Sequence, residues 1–264
     1  MEILGYIASL IIGISLGLIG GGGSILTVPV LVYLFSVDPI VAMAYSLFIV
    51  GATALVGAIP RFKEGLVNLR TAIIFGIPSI AAVYATRKFI VPAIPDSVFF
   101  IGSFEVTRPV LLMGLFAVLM VAASISMIRK PKNKIQETDK PQEFNYPIIF
   151  LEGSVDGVLT GLVGAGGGFL IIPALVVLSK LPMKQAVGTS LLIIAAKSLI
   201  GFTSDLGKYP FDWVLLLSVS ALAIVGIFIG NALARKVDGN KLKVGFGWFV
   251  LVMGVYILIS QLLK

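Results

Sequence analysis

Apolar residues run in blocks of about twenty along this chain, separated by short polar or proline-bearing breaks. The blocks at 40–59, 71–91, 109–128, 185–204, 211–234 and 244–263 each match the ~20 residues that span hydrocarbon as a helix. Two further apolar segments, 3–35 and 147–179, are too long for that. As one helix either would reach about 50 Å at 1.5 Å per residue. Both are interrupted: by Gly20, Gly21, Gly22, Gly23 and Ser24 in the first, and by Gly164, Ala165, Gly166, Gly167 and Gly168 in the second. Glycine weakens a helix by roughly 1 kcal/mol relative to alanine, so runs of this length predict a break. Within a bilayer such a break is tolerated only where the freed backbone is buried in protein or lines a wet cavity.

The two broken segments are copies. GLIGGGGSILTVP at 17–29 recurs 144 residues later as GLVGAGGGFLIIP at 161–173. The same offset places Ala42, Ser46 and Leu47 on Ala186, Ser190 and Leu191, Gly57 on Gly201, and Asn68 on Asp212. Residues 129–146 form a long hydrophilic stretch between the copies. The expected organisation is a first transmembrane repeat at 1–128, a cytoplasmic linker at 129–146 and a second repeat at 147–264. The region 87–108 carries Pro92 and Pro95, is followed at once by Pro109, and reads as an extended loop.

Basic residues decide how the broken segments sit. If each crossed the membrane once, Lys and Arg outside the spans would divide ten to nine between the faces. If each enters and returns to its own face, the division is fourteen to five, the cytoplasmic excess expected of a polytopic protein. Each half then makes an odd number of crossings, so the halves point in opposite directions. The expected fold is an all-α polytopic membrane protein of two inverted-topology repeats, each a Gly-broken helical hairpin plus three spanning helices. Both chain ends and residues 36–39 should face outward.

Composition sharpens the picture. The chain is 58% hydrophobic and 12% charged, with mean hydropathy +1.07, against about 45–50% apolar and about 25% charged in soluble domains. Ten-residue alternating segments of a β-barrel are absent. The start lacks the basic region of a cleaved signal, so it reads as mature structure. The net charge of +7 is explained by loop lysines and arginines rather than by nucleic-acid binding. With no Cys and no His, thiol chemistry and the usual metal ligand and neutral-pH proton carrier are missing. No metal or cofactor is expected, and no covalent catalysis.

The candidate chemistry lies in the breaks. An arm that begins at a glycine run inside the bilayer offers free N–H groups and a partial positive charge to an oxyanion. This nominates Gly20, Gly21, Gly22, Gly23 and Ser24 with Gly166, Gly167 and Gly168 as substrate-binding residues. The bland alternative is close helix packing, the role that suits Gly13 and Gly17. Neither run is followed by the Lys-Ser/Thr of a phosphate loop. Lys197 sits deep in the span 185–204, where a cation demands a cavity or a partner, unless it snorkels to the interface. Ser46, Thr189 and Ser190 add hydroxyl donors. Asp156, with Glu152 one turn before it, could carry a coupling proton or pair with Lys197. Tyr45, Trp213 and Trp248 suit packing or interfacial anchoring.

On these residues, the paired glycine motifs with AVGTSLL at 186–192, the chain resembles the sulfite exporter TauE/SafE family of membrane permeases. The resemblance covers both halves apart from 87–108 and the linker. The first half departs from it in reading AMAYSLF where the second reads AVGTSLL, and Lys197 lies outside the expected pattern. It implies a multi-pass carrier of the inner (cytoplasmic) membrane that moves sulfite, organosulfonates or related anions by alternating access with proton coupling. A passive anion channel or a carrier of small carboxylates is the alternative. The expected partners are a small anionic solute and the lipid bilayer, with no nucleic acid.

Overall fold

The computed structural model describes residues 2–101, 104–128, 146–177, 181–234 and 239–262. The first broken segment comprises α1 (Glu2–Ile19), a 3-10 helix over Gly20–Leu26 and α2 (Thr27–Tyr33). Then come α3 (Pro39–Lys63), α4 (Leu69–Ala85), a π-helical turn over Thr86–Ile90, the short α5 (Val91–Ala93), strands β1 (Ser97–Ile101) and β2 (Phe104–Thr107), and α6 (Arg108–Ile128). The second half contains α7 (Tyr146–Val163), α8 (Gly168–Val177), α9 (Met183–Thr203), α10 (Trp213–Leu233) and α11 (Gly239–Leu262). Seven stretches among the described residues are long and apolar enough to cross a membrane. The protein is an all-α polytopic membrane protein. The expected linker 129–146 lies outside the described residues except for Tyr146.

Two expectations need correction. The first glycine run does not open into free coil. It tightens into the 3-10 helix with only Gly20 in the left-handed region, at φ +74°. The four-glycine run still ends α1, and the bond from Thr27 N–H to the Ser24 carbonyl closes the far end of the turn. The second run does open: Gly164, Gly166 and Gly167 have φ of +72°, +66° and +62°, values that side chains beyond Cα disfavour. The second correction concerns 87–108. Helical structure continues through Ala93, and β1 pairs antiparallel with β2. The prolines end α5 without keeping Phe99, Phe100 and Val106 from strand pairing.

The repeat is visible in the helix starts. Asn68 Oδ1 accepts from Thr71 N–H at 3.0 Å, and Asp212 Oδ1 accepts from Val214 and Leu215 N–H at 3.0 Å. These mates, 144 residues apart, cap α4 and α10 by satisfying amides that the first turn leaves free.

The first segment folds back on itself. The rings of Tyr6 and Phe35 meet edge-on at 5.2 Å, so the end of the segment returns beside its beginning. Helix pairs then follow one pattern twice. Gly13 lies against Ala223, and Gly17 against Gly230 and Ile227, packing α1 parallel to α10. Gly157 lies against Ser79, and Gly161 against Val83 and Thr86, packing α7 parallel to α4. Each of these contacts is the other's image at the 144-residue offset. Across the middle, Gly51 meets Leu199 while Gly201 faces Leu47, so α3 and α9 run antiparallel. Gly247 against Met127 and Gly254 against Met120 make α6 and α11 antiparallel as well. Glycine permits these approaches because backbones touch where a methyl group would collide.

Candidate functional site

The two breaks meet. A Cβ on either Gly21 or Gly168 would fall onto the other's backbone, and one on Gly21 would also lie 2.5 Å from Ile194. Gly166 lies over Val50, with the Ser198 hydroxyl and the Cβ of Ser24 each 3.5 Å from where its own Cβ would stand. Met43 and Val50 on α3 touch Gly164 and Gly166, and the helical spacing puts Ser46 on that same face. On α9, Val187 and Ile194 touch Gly20 and Gly21, so Ser190 holds the matching position opposite the first break.

Beside the second break stands a buried ion pair. Lys197 Nζ on α9 donates to Asp156 Oδ2 on α7 at 2.5 Å and to Thr160 Oγ1 at 3.0 Å. Ser79 on α4 donates to the same Asp156 oxygen at 2.9 Å. Lys197 is fully buried and Asp156 nearly so, so the lysine does not snorkel to the interface. Gly167 covers the pair, for a Cβ there would lie 2.6 Å from Nζ and 2.7 Å from Asp156 Oδ1. Only a residue without a side chain closes over this pair.

Several groups here keep hydrogen-bonding capacity. Asp156 Oδ1 and the hydroxyls of Ser46 and Ser198 are buried without a partner among the described residues. An ammonium has three N–H donors, and Lys197 directs two of them at Asp156 and Thr160. A buried polar group left unmatched costs about 1–3 kcal/mol, so such a concentration calls for a physical reason.

The other nominated residues divide. Ser24 donates to the Gly21 carbonyl at 2.7 Å and Ser190 to the Val187 carbonyl at 2.8 Å. Gly22 and Gly23 shape the 3-10 turn, Gly23 lying on Ser15. Thr189 does not join the centre: its hydroxyl accepts from Asn68 N–H at 2.9 Å and anchors the turn before α4. Glu152 is half-buried one turn before Asp156. Ser79, Thr160 and Ser198 went unnominated. Thr160 was within reach of sequence reasoning, because 152, 156 and 160 step by four along one helical face. Ser79 gave no such signal, since only the packing of α4 on α7 brings it to Asp156.

Both charged members of this cluster, Asp156 and Lys197, come from the second half together with Thr160, while Ser79 is supplied by the first. At the 144-residue offset, Ser79, Asp156, Thr160 and Lys197 correspond to Ala223, Ile12, Leu16 and Thr53. Buried aliphatic groups therefore stand at Ile12 and Leu16 where the second half has a carboxylate and a hydroxyl.

Broken helices meeting beside a buried ion pair, within a bundle of apolar spans, define the class of a polytopic membrane protein. The chain belongs to the Sulfite exporter TauE/SafE family, whose model matches residues 5–257. It is 29% identical over 255 residues to a probable membrane transporter protein of Xylella fastidiosa (strain 9a5c), covering 94% of this chain and 91% of that one. A probable membrane transporter protein of Methanocaldococcus jannaschii is 28% identical over 268 residues, covering 96% and 94%. The Bacillus subtilis probable membrane transporter protein YunE is 30% identical over 246 residues, covering 88% of each chain. No solved structure is significantly similar to this chain. The protein is a multi-pass membrane transporter.

Proposed function

We propose that the protein is a secondary carrier of small sulfur-containing oxyanions, such as sulfite or organosulfonates, working by alternating access with proton coupling in the cytoplasmic membrane. The observation that carries this reading is the Lys197–Asp156 pair at the contact of the two glycine breaks. Charge balance at depth supplies the mechanism. A buried cation without a counter-charge is strongly unfavourable. An anion can therefore take Asp156's place beside Lys197 only if Asp156 is neutralised. A proton on Asp156 does this, so one proton enters the cluster with each singly charged anion and the cluster stays neutral throughout. Hydroxyls of Ser46 and Ser198 and the amides that open α8 stand ready for the anion's remaining oxygens.

Alternating access fits two inverted repeats. The antiparallel packing of α3 on α9 and of α6 on α11 supports opposite orientation of the halves, since each of these pairs consists of repeat mates. The fourteen-to-five division of Lys and Arg supports a cytoplasmic position for the linker and for the face bearing Arg61 and Lys63.

The test uses purified protein in liposomes. Thermal shift should select among sulfite, sulfate, sulfoacetate and small carboxylates, and uptake of the stabilising anion should saturate and respond to an imposed proton gradient. Replacing Lys197 with Met should lower that uptake at least tenfold. Unchanged uptake by K197M removes Lys197 from the pathway, and non-saturating, gradient-independent flux identifies a channel.

A further inference from the structure

A second buried ion pair lies away from this centre. Arg87, in the π-helical turn after α4, is fully enclosed, and its Nε donates to Asp205 Oδ2 at 2.7 Å while Nη2 stands 2.5 Å from the same oxygen. Nη1 reaches the Gly161 carbonyl on α7 at 3.5 Å, and the Arg87 carbonyl accepts from Lys208 Nζ at 2.9 Å. Asp205 follows α9 eight residues after Lys197, and Gly161 follows Asp156 by five on α7. The pair thus ties together α4, α7 and α9, the three helices that supply Ser79, Asp156 and Lys197. Along α9 it lies about 12 Å from the lysine, at 1.5 Å per residue. A π-turn re-aims side chains that a regular helix would direct elsewhere, and such turns are frequent at functional sites.

The repeat provides the comparison. Arg87 corresponds to Asn231 and Asp205 to Arg61, each 144 residues away. These mates also meet, at the opposite face, where Arg61 Nη2 donates to Asn231 Oδ1 at 3.4 Å. The two contacts differ in strength and enclosure. Arg61 is partly exposed and also faces Glu64 at 3.6 Å. Arg61, Glu64 and Asn231 line an open cavity of about 280 Å³ between the ends of α3 and α10. One face is therefore closed by a charged pair sealed from solvent. The other is spanned by a long bond from a cation to a neutral amide, with a cavity beside it.

We propose that Arg87–Asp205 is the outer gate of the carrier and Arg61–Asn231 its weaker inner counterpart, so that the structure is an outward-closed state. The inference rests on the alternating-access reading above. Opening the outer face separates Arg87 from Asp205 and frees the α7–α9 clamp above the Lys197 site. Opening the inner face breaks one bond to a neutral side chain, which biases the resting protein toward the cytoplasm.

The natural chain has no cysteine, so one introduced thiol is a unique reporter. Val83, one turn before Arg87 on α4, is fully buried. V83C protein in oriented vesicles is treated on the outer face with a membrane-impermeant maleimide, with and without D205N. D205N should raise the labelling rate at least tenfold, and an unchanged rate in folded D205N protein overturns the gate. The second measurement bridges R87C/D205C with a reducible bifunctional thiol reagent. Uptake should fall at least tenfold and return on reduction, whereas full uptake by fully bridged protein overturns the proposal. Uptake by the unsubstituted protein is followed in parallel. Its absence counts against the carrier reading, while the labelling rates still decide the gate.

Discussion

Lys197 and Asp156 stabilise each other only as a pair. Removing one partner of a buried pair leaves an uncompensated charge, a loss of about 3–5 kcal/mol, whereas replacing both with apolar residues is often neutral or stabilising. D156A should therefore lower the thermal unfolding midpoint in detergent markedly. The D156L/K197M double variant should recover most of that midpoint and still move no anion. A double variant as unstable as the single one would mean that shape rather than charge holds α7 to α9. The lysine was legible as a buried cation in need of a partner, because a charge inside a twenty-residue apolar block must be compensated at depth or reach the interface. Its partnership with Asp156 was one of several open options, and the Ser79 contribution was invisible, because hydroxyls cost little anywhere along a helix.

Glycines at the element scale do two different jobs. Gly13 and Gly17 of α1 meet Gly226 and Gly230 of α10 backbone to backbone, so the packing role suits them. Gly164, Gly166 and Gly167 instead occupy left-handed backbone at the second break. Sequence alone distinguishes them by spacing: four-residue steps make a helical stripe, while consecutive glycines end a helix. G13L should wedge α1 from α10 and destabilise by about 1–3 kcal/mol or more, as overpacking does. G114A is the control, since nothing lies within 4 Å of a Cβ at Gly114 in α6. It should leave stability unchanged or raise it by up to ~1 kcal/mol through helix propensity. Equal losses in the two variants, measured by thermal unfolding, would exclude the α1–α10 contact as the cause. The 3-10 form of the first run was not legible, because the four glycines tolerate several turn geometries and contacts with Ser15, Val187 and Gly168 select among them.

At the scale of the molecule, the halves place their hairpins on opposite faces in the proposed arrangement. In the cysteine-free chain, S36C and D96C should react with an impermeant maleimide from the outside, and K63C and K184C only from the cytoplasm. Labelling of S36C and K184C from the same face would refute inverted halves. Asp156 and Lys197 both lie in the second half and their repeat mates Ile12 and Thr53 are uncharged, so the two repeats share a scaffold without sharing its charges.

The order of apolar blocks, the 144-residue repeat, the positions of the breaks and the membrane setting follow from the sequence alone. Hydrocarbon imposes a fixed span length and forbids unpaired backbone, so composition and glycine placement leave little freedom. Partnerships were decided by the tertiary structure: Ser79 with Asp156, Arg87 with Asp205, and the abutting of Gly21 on Gly168. Each joins residues far apart in the chain, and apolar helices of similar composition pack in many ways. Only the close approach of particular backbones selects which buried polar groups meet.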